Sequence, residues 1–156
     1  MQYIEEIYIW RNKKVKMEKV ILDQKLALFH DYFNPRIAGE LNGQHVKLVK
    51  FKGEFIWHHH DHEDELFFVI KGEFDMQLRD KTITIKENEF LIVPRGVEHR
   101  PVAKEEVSIM LFEPASTVNT GGEKNELTRE LLQRIWIDNF YRIHWNGYFH
   151  NIILTD

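Results

Sequence analysis

From Arg36 onward, apolar and polar residues alternate with a period of two. Side chains of an extended strand project to opposite faces in turn, so this period marks strands with one buried face. Ile37 to Leu41 and His45 to Phe51 flank Asn42-Gly43, the pair best suited to the left-handed torsions of a type I′ hairpin turn. Further strands are expected at Phe55 to His60, Glu65 to Ile70, Phe74 to Leu78, Thr82 to Ile85, Phe90 to Val93, His99 to Val102 and Val107 to Phe112. Turn signals separate them at Lys71-Gly72, Asp80-Lys81, Glu87-Asn88, Arg95-Gly96 and Lys104-Glu105-Glu106. Short strands at regular spacing, with no long helices between, predict an all-β antiparallel barrel or sandwich. Phe67 and Val69 share the face of Glu65 and are expected to line its interior. Leu66, Phe68 and Ile70 need cover from a second sheet, the amino-terminal segment or another subunit, so a homodimer is expected.

The flanks differ in pattern. Met1 to Lys16 is rich in Ile and aromatics and fits strand or helix equally well. Asp23 is expected to cap a short helix over Gln24 to His30, ended before Pro35 and covering an open side of the barrel. Past Pro114, Ser116 to Gly122 is polar and predicts a loop. Leu127, Leu131, Leu132 and Ile135 then form a stripe that predicts a helix over Glu126 to Arg134. The expected organisation is an extension at 1–16, a barrel with its preceding helix at 17–115, a loop and helix at 116–137, and an aromatic tail at 138–156.

Composition narrows the function classes. A chain of 156 residues buries one ordinary core without cross-links. Lys plus Arg number 21 against 25 for Asp plus Glu, scattered rather than blocked, so neither nucleic acid nor an anionic membrane is an expected partner. The absence of Cys excludes disulfides, thiolate ligands and a Cys nucleophile. Acidic residues near the amino terminus and the lack of a long apolar segment make a cytoplasmic protein the expectation.

Histidine carries the candidate chemistry. In G-E-F-I-W-H-H-H-D-H-E-D-E-L, starting at Gly53, an extended backbone puts His58 and His60 on one side and Trp57 and His59 on the other. A turn through Asp61 to Asp64 brings Glu65 back beside that pair, and Pro94-Arg95-Gly96 bends the chain just before His99. Three neutral imidazoles with one carboxylate suit a divalent Zn, Fe, Mn, Ni or Cu ion better than Ca or Mg, which prefer oxygen.

These residues resemble both motifs of the cupins. Gly53, His58, His60, Glu65 and Gly72 match the first motif, and Pro94, Gly96 and His99 match the second. The texture is most similar to the compact single-domain cupins that look like the mannose-6-phosphate isomerase barrel. The resemblance implies a double-stranded β-helix, or jelly-roll barrel, with short helices at its amino-terminal side and carboxy terminus. It also implies one divalent transition-metal ion on His58, His60, Glu65 and His99. Three positions depart from the family pattern: four residues rather than five separate Gly53 from His58, Asn88 replaces a glycine, and Ala103 stands where Asn is frequent. Asn tolerates the left-handed turn that glycine would supply, so Asn88 keeps the bend.

The plainer reading of each remaining signal is surface or core. His59 and His62 are expected at the surface, and Gly53, Gly72 and Gly96 as turn formers. Arg95 and Arg100 are expected as solvated charges, while Trp57 and the phenylalanines belong to core or interface. Glu65 either binds the ion directly or orients a ligand from behind. No strand-to-helix nucleophile elbow is present, which removes covalent hydrolysis. Two function classes remain. One is a small metal-dependent enzyme, an isomerase or a dioxygenase, acting on a small polar metabolite; the other is a module that binds or senses a small ligand without turnover.

Overall fold

The computed structural model describes Met17, residues 19–135 and the backbone of two short strands near the carboxy terminus. Expectations for Met1 to Lys16 lie outside the described residues. So do those for Asp138 to Asp156, except that β8 (His144–Trp145) pairs antiparallel with β9 (Tyr148–Phe149).

Seven strands make the barrel: β1 (Arg36–Leu41), β2 (Gln44–Glu54), β3 (Glu65–Lys71), β4 (Glu73–Leu78), β5 (Thr82–Lys86), β6 (Phe90–Val93) and β7 (His99–Pro114). All pair antiparallel, in the order β1-β2-β7-β3-β6, with β4 bridging β7 and β5. The expected all-β jelly roll is therefore present. The hairpin between β1 and β2 turns at Asn42 and Gly43, both with positive φ, at 50° and 75°, as a type I′ turn requires. Asn88 is left-handed as well, at 67°, and takes the bend where the family pattern has glycine.

The long strand β7 organises the fold. Its second half lies between β2 and β3, and its first half pairs with β4. The expected turn at Lys104-Glu105-Glu106 is instead a bulge within this strand. Phe51 pairs with Val107 and Gly53 with Ala103, so Lys52 alone faces three exposed residues. The extra residues bend β7 from one wall to the other while their charges stay in water. Lys52 Nζ reaches Glu105 at 2.7 Å across the bulge.

Alternation along β3 sets the interior as predicted. Glu65, Phe67 and Val69 are buried, while Leu66, Phe68 and Ile70 are half-buried. Phe67 and Val69 join Val49, Phe51, Phe74, Met76, Ile109 and Leu111 in the main core. A second cluster of Leu26, Phe29, Ala38, Leu48 and Ile135 lies on the other face of β1 and β2.

Three further expectations are corrected. The helix α1 spans Leu22–Leu26, with Ile21 at its N-cap and no side-chain cap; Asp23 falls in the first turn, where a carboxylate favours the helix dipole. It stops short of His30: the last helical-type bonds are Ala27 N–H to Asp23 O and Leu28 N–H to Lys25 O, and beyond them the Phe29 carbonyl accepts from Lys50 Nζ on β2, at 3.2 Å. Phe55 to His60 is not a regular strand: only His58 forms a bridge, to His99.

The third correction concerns Glu126 to Arg134, which form turns and bends rather than a helix. Polar side chains there take the backbone groups that a helix would need. Asn125 Oδ1 accepts from Leu127 N, and Asn119 accepts from Arg129 N and donates to Leu127 O. Leu131 is 95 % exposed while Ile135 is buried in the second cluster, so the expected stripe does not share one buried face. Instead the chain runs out beside β1, with Ile37 N–H donating to Gln133 O and Ile135 N–H to Ile37 O. Among the described residues no helix is long and apolar enough to cross a membrane.

Candidate metal centre

His58, His60, Glu65 and His99 come together inside the barrel, where one ligand atom from each lies within 4.8 Å of all the others. Every one of the four is at least 95 % buried. His99 opens β7 and Glu65 opens β3, while His58 and His60 stand on the segment after β2. Backbone pairing sets their register. His58 N–H donates to His99 O at 3.1 Å, His99 N–H donates to His58 O at 2.9 Å, and Gly96 N–H donates to His60 O at 2.7 Å. The Pro94-Arg95-Gly96 bend thus pins the His60 segment while delivering His99, with Gly96 at φ 77°.

Two imidazoles are oriented from behind. His58 Nδ1 lies 3.1 Å from Ile56 O and His99 Nδ1 lies 2.9 Å from Val97 O. A carbonyl only accepts, so Nδ1 carries the proton in each ring and Nε2 keeps its lone pair for a metal. Phe67 packs its ring edge-on to His99 at 6.0 Å, and Phe55 does the same to His58 at 5.1 Å.

The cluster passes a test of fit for a cation. His60 Nε2 and His99 Nε2 approach Glu65 Oε2 at 3.1 and 3.2 Å, yet none of these three buried atoms has a well-aligned hydrogen bond. These contacts are close but poorly aligned, and so are not hydrogen bonds. The candidate ligand atoms are gathered within 4.8 Å, and the Nε2 atoms of His60 and His99 and Oε2 of Glu65 remain without hydrogen bonds. Burial, reinforced by neighbouring His99, lowers the His58 imidazole to about 4, which leaves it neutral. Burial by itself would raise the Glu65 carboxyl, but the flanking imidazoles outweigh it and hold the group well below the usual carboxylate range.

A buried ion pair outside the expected ligand set supports this centre. Lys47 Nζ sits 2.7 Å from Glu113 Oε1 and donates to Thr117 O, and both charged side chains are almost wholly buried. Glu113 Oε2 has no hydrogen bond. Burial pushes the Glu113 carboxyl well above its ordinary range, and the Glu65 carboxylate beside it pushes the same way, against Lys47. The signal was present in the sequence: Lys47 shares pleat parity with Val49 and Phe51, and Glu113 shares it with Ile109 and Leu111, so each is a charge at an inward position.

His59, His62 and Arg95 lie at the surface as expected, whereas Arg100, expected as a solvated charge, is half-buried because Gln77 and Glu54 hold its guanidinium. His59 and His62 are exposed, and His59 contacts Asp61. Arg95 pairs with Asp64, Arg100 with Glu54 and Gln77, and Arg79 with Glu98 while lying 3.9 Å over the Trp57 ring. The basic residues that a phosphate would want, Lys71, Arg79 and Arg95, are all exposed.

Comparison with known proteins points one way. A family described as "Cupin domain" matches residues 45–113. The chain is 43 % identical to a cupin-2 domain protein of Shewanella frigidimarina, with a TM-score of 0.60 over 61 % of this chain and 93 % of that one. It is 33 % identical to a protein of Neisseria meningitidis, with a TM-score of 0.59 over 63 % of this chain and 100 % of that one. YdbB of Bacillus subtilis is 45 % identical over 62 residues, which is 39 % of this chain and only 55 % of YdbB.

Proposed function

The chain belongs to the cupin domain family, and on that premise we propose that it holds one divalent transition-metal ion on His58, His60, Glu65 and His99 and takes a small molecule beside it. One observation carries the reading: buried nitrogen and oxygen atoms of His60, Glu65 and His99 that lack hydrogen bonds lie a few ångströms apart. Leaving such groups unpaired is costly, and a shared cation removes the cost. The nitrogen-rich set favours Fe, Mn, Ni, Cu or Zn. Such an ion, when bound, supplies Lewis acidity or, if redox-active, a site for oxygen chemistry.

The protein's own contribution is positional. Ile56 O and Val97 O hold two imidazoles in the metal-binding tautomer, and the barrel wall keeps bulk water from the four ligands. Of the two enzymatic readings, chemistry on a chelating substrate is better supported than sugar-phosphate isomerisation, because among the described residues no Lys or Arg lines the adjoining cavity. Glu113 is the one titratable group on that lining besides His58 and Glu65, and it is the candidate for proton transfer. Binding without turnover is the second reading. It is favoured by the walls, which offer a ligand apolar contact and little else. We propose further a cytoplasmic homodimer. The partly exposed pairs Leu66–Ile92 and Phe68–Phe90 form an apolar outer face on β3 and β6.

Metal analysis of the purified chain tests the first step, with about one ion per chain expected. Oxygen uptake by the iron-loaded protein with candidate chelating substrates then separates enzyme from binder. A chain that holds no divalent ion at near-stoichiometric supply defeats the reading.

A further inference from the structure

His58, His60, Glu65 and His99 are all buried, so an ion reaches them only if part of the surrounding wall moves. Strands form most of that wall and are held by backbone ladders and by the main core. Two pieces of the cavity lining come from outside the residues matched by the family, 45–113: Phe33 with Pro35 on the amino-terminal side, and Asn119 beyond β7. Phe33 is pinned. Its N–H donates to Lys50 O at 2.9 Å, and its ring stacks on Phe51 at 5.5 Å and lies 5.3 Å from that of Phe55. Asn119 belongs instead to residues 115–135, a strap that leaves β7, passes over the segment bearing His58 and His60, and ends beside β1.

Polar ties rather than burial fasten the strap. Within it Thr117, Thr120 and Ile135 are buried, and of these Ile135 alone is apolar. Ala115 N–H donates to Gly43 O, Lys47 Nζ to Thr117 O and Ser116 Oγ to Glu63 Oε1. Asn119 donates to Leu127 O and accepts from Arg129 N–H, and the Thr120 and Thr128 hydroxyls bond at 2.9 Å. A segment with many hydrogen bonds near solvent and little apolar burial opens locally while the barrel stays folded. Its middle lies on a ligand. A β-carbon at Gly121 would clash with His59 O and stand 3.7 Å from His60 Nδ1. His60 is also the imidazole with the least support: Ile56 O and Val97 O orient His58 and His99, whereas among the described residues no carbonyl meets His60 Nδ1. Lifting the strap therefore frees one ligand ring and leaves the other two in place.

Building on the metal reading, we propose that residues 115–129 are a gate: the ion enters and leaves when this strap lifts from His60, and the closed strap retains it. The gate sets rates rather than affinity, because the strap is closed in most molecules whether or not the ion is bound. The test uses the full chain and Co²⁺. Calorimetry first measures ion uptake; no uptake overturns the metal reading and the gate with it. With Co²⁺ bound, stopped-flow absorbance follows uptake and release into excess EDTA. Release is expected to be independent of EDTA concentration, since opening precedes capture. Asn119→Ala and Thr128→Ala each remove strap bonds and touch no ligand. Both are expected to raise the uptake and release rates together by about tenfold, with Kd within about threefold of wild type. Thr84→Ala breaks an exposed bond to Asp75 between β5 and β4 and is expected to alter neither rate. Should Asn119→Ala not fold, Ser116→Ala loosens only an exposed tie and is expected to raise both rates about twofold. Unchanged rates in folded strap variants, or a weaker Kd with an unchanged uptake rate, overturn the gate and leave the metal reading standing.

Discussion

His58 and His99 exchange both of their backbone hydrogen bonds, and their rings lie 4.2 Å apart, centroid to centroid. The pairing is made by main chain, so it does not depend on what the side chains bind. His99→Ala should therefore fold, with an unchanged far-ultraviolet circular dichroism spectrum, yet lose metal affinity by more than the roughly 10–100-fold typical of a supporting residue. Metal content after dialysis against a graded chelator checks this, and full retention of the ion would remove His99 from the ligand set.

Acid should destabilise the metal-free protein through His58. Its folded value, about 4, lies below the ordinary value of 6.5, so the unfolded chain binds the extra proton between those limits. Stability is then fully present above pH 6.5 and falls as the pH drops toward 4, by on the order of 3 kcal/mol. Urea midpoints of chelator-treated protein across this range provide the measurement, and His58→Gln should flatten that part of the profile.

Breaking the Lys47–Glu113 pair from one side leaves a buried carboxyl group beside Glu65. Lys47→Met should cost about 3 kcal/mol or more, whereas Lys47→Met with Glu113→Leu together should cost less than Lys47→Met alone. A double-mutant cycle in urea reads the coupling, and additive losses would show that the two groups act independently.

Gly121 closes the loop after β7 against the ligand segment. A β-carbon there would stand 2.0 Å from His59 O and 3.7 Å from His60 Nδ1, on a backbone at φ +58°. Gly121→Ala must push the loop or the His59–His60 segment aside. The expected outcome is a loss of about 1–3 kcal/mol of stability together with weaker metal binding, whereas Gly122→Ala, with open space around it, should change neither.

The outer face of β3 and β6 is the expected dimer contact. Phe90 and Ile92 are 61 % and 51 % exposed and lie opposite Phe68 and Leu66. Phe90→Lys with Ile92→Lys should yield a monomer in sedimentation velocity at concentrations where the wild type is dimeric, since two charges cannot be buried unpaired at such a contact. A wild-type chain that sediments as a monomer would refute the contact.

Strand positions in the barrel were legible because burial acts on alternate residues: Glu65, Phe67 and Val69 point inward by parity alone. Turn chemistry was equally local, as Asn42 and Gly43 show. The candidate ligand set was legible for a different reason: His58, His60, Glu65 and His99 stand at positions of two motifs that resemble those of the cupins, and that resemblance named them. The helix expected at Glu126 to Arg134 failed because periodicity says nothing of competing acceptors, and Asn119 and Asn125 supply them.

Pattern thus specified a β-barrel, because burial on alternate residues repeats at a short, fixed interval, and the motif resemblance nominated His58, His60, Glu65 and His99. Other features depend on residues far apart in the chain meeting in space, and no local interval encodes that meeting. The convergence of those four side chains, the Lys47–Glu113 pair behind them and the Phe33 ring across the cavity are settled by long-range packing, which makes β7 bend at its bulge and puts the Phe33 backbone against Lys50.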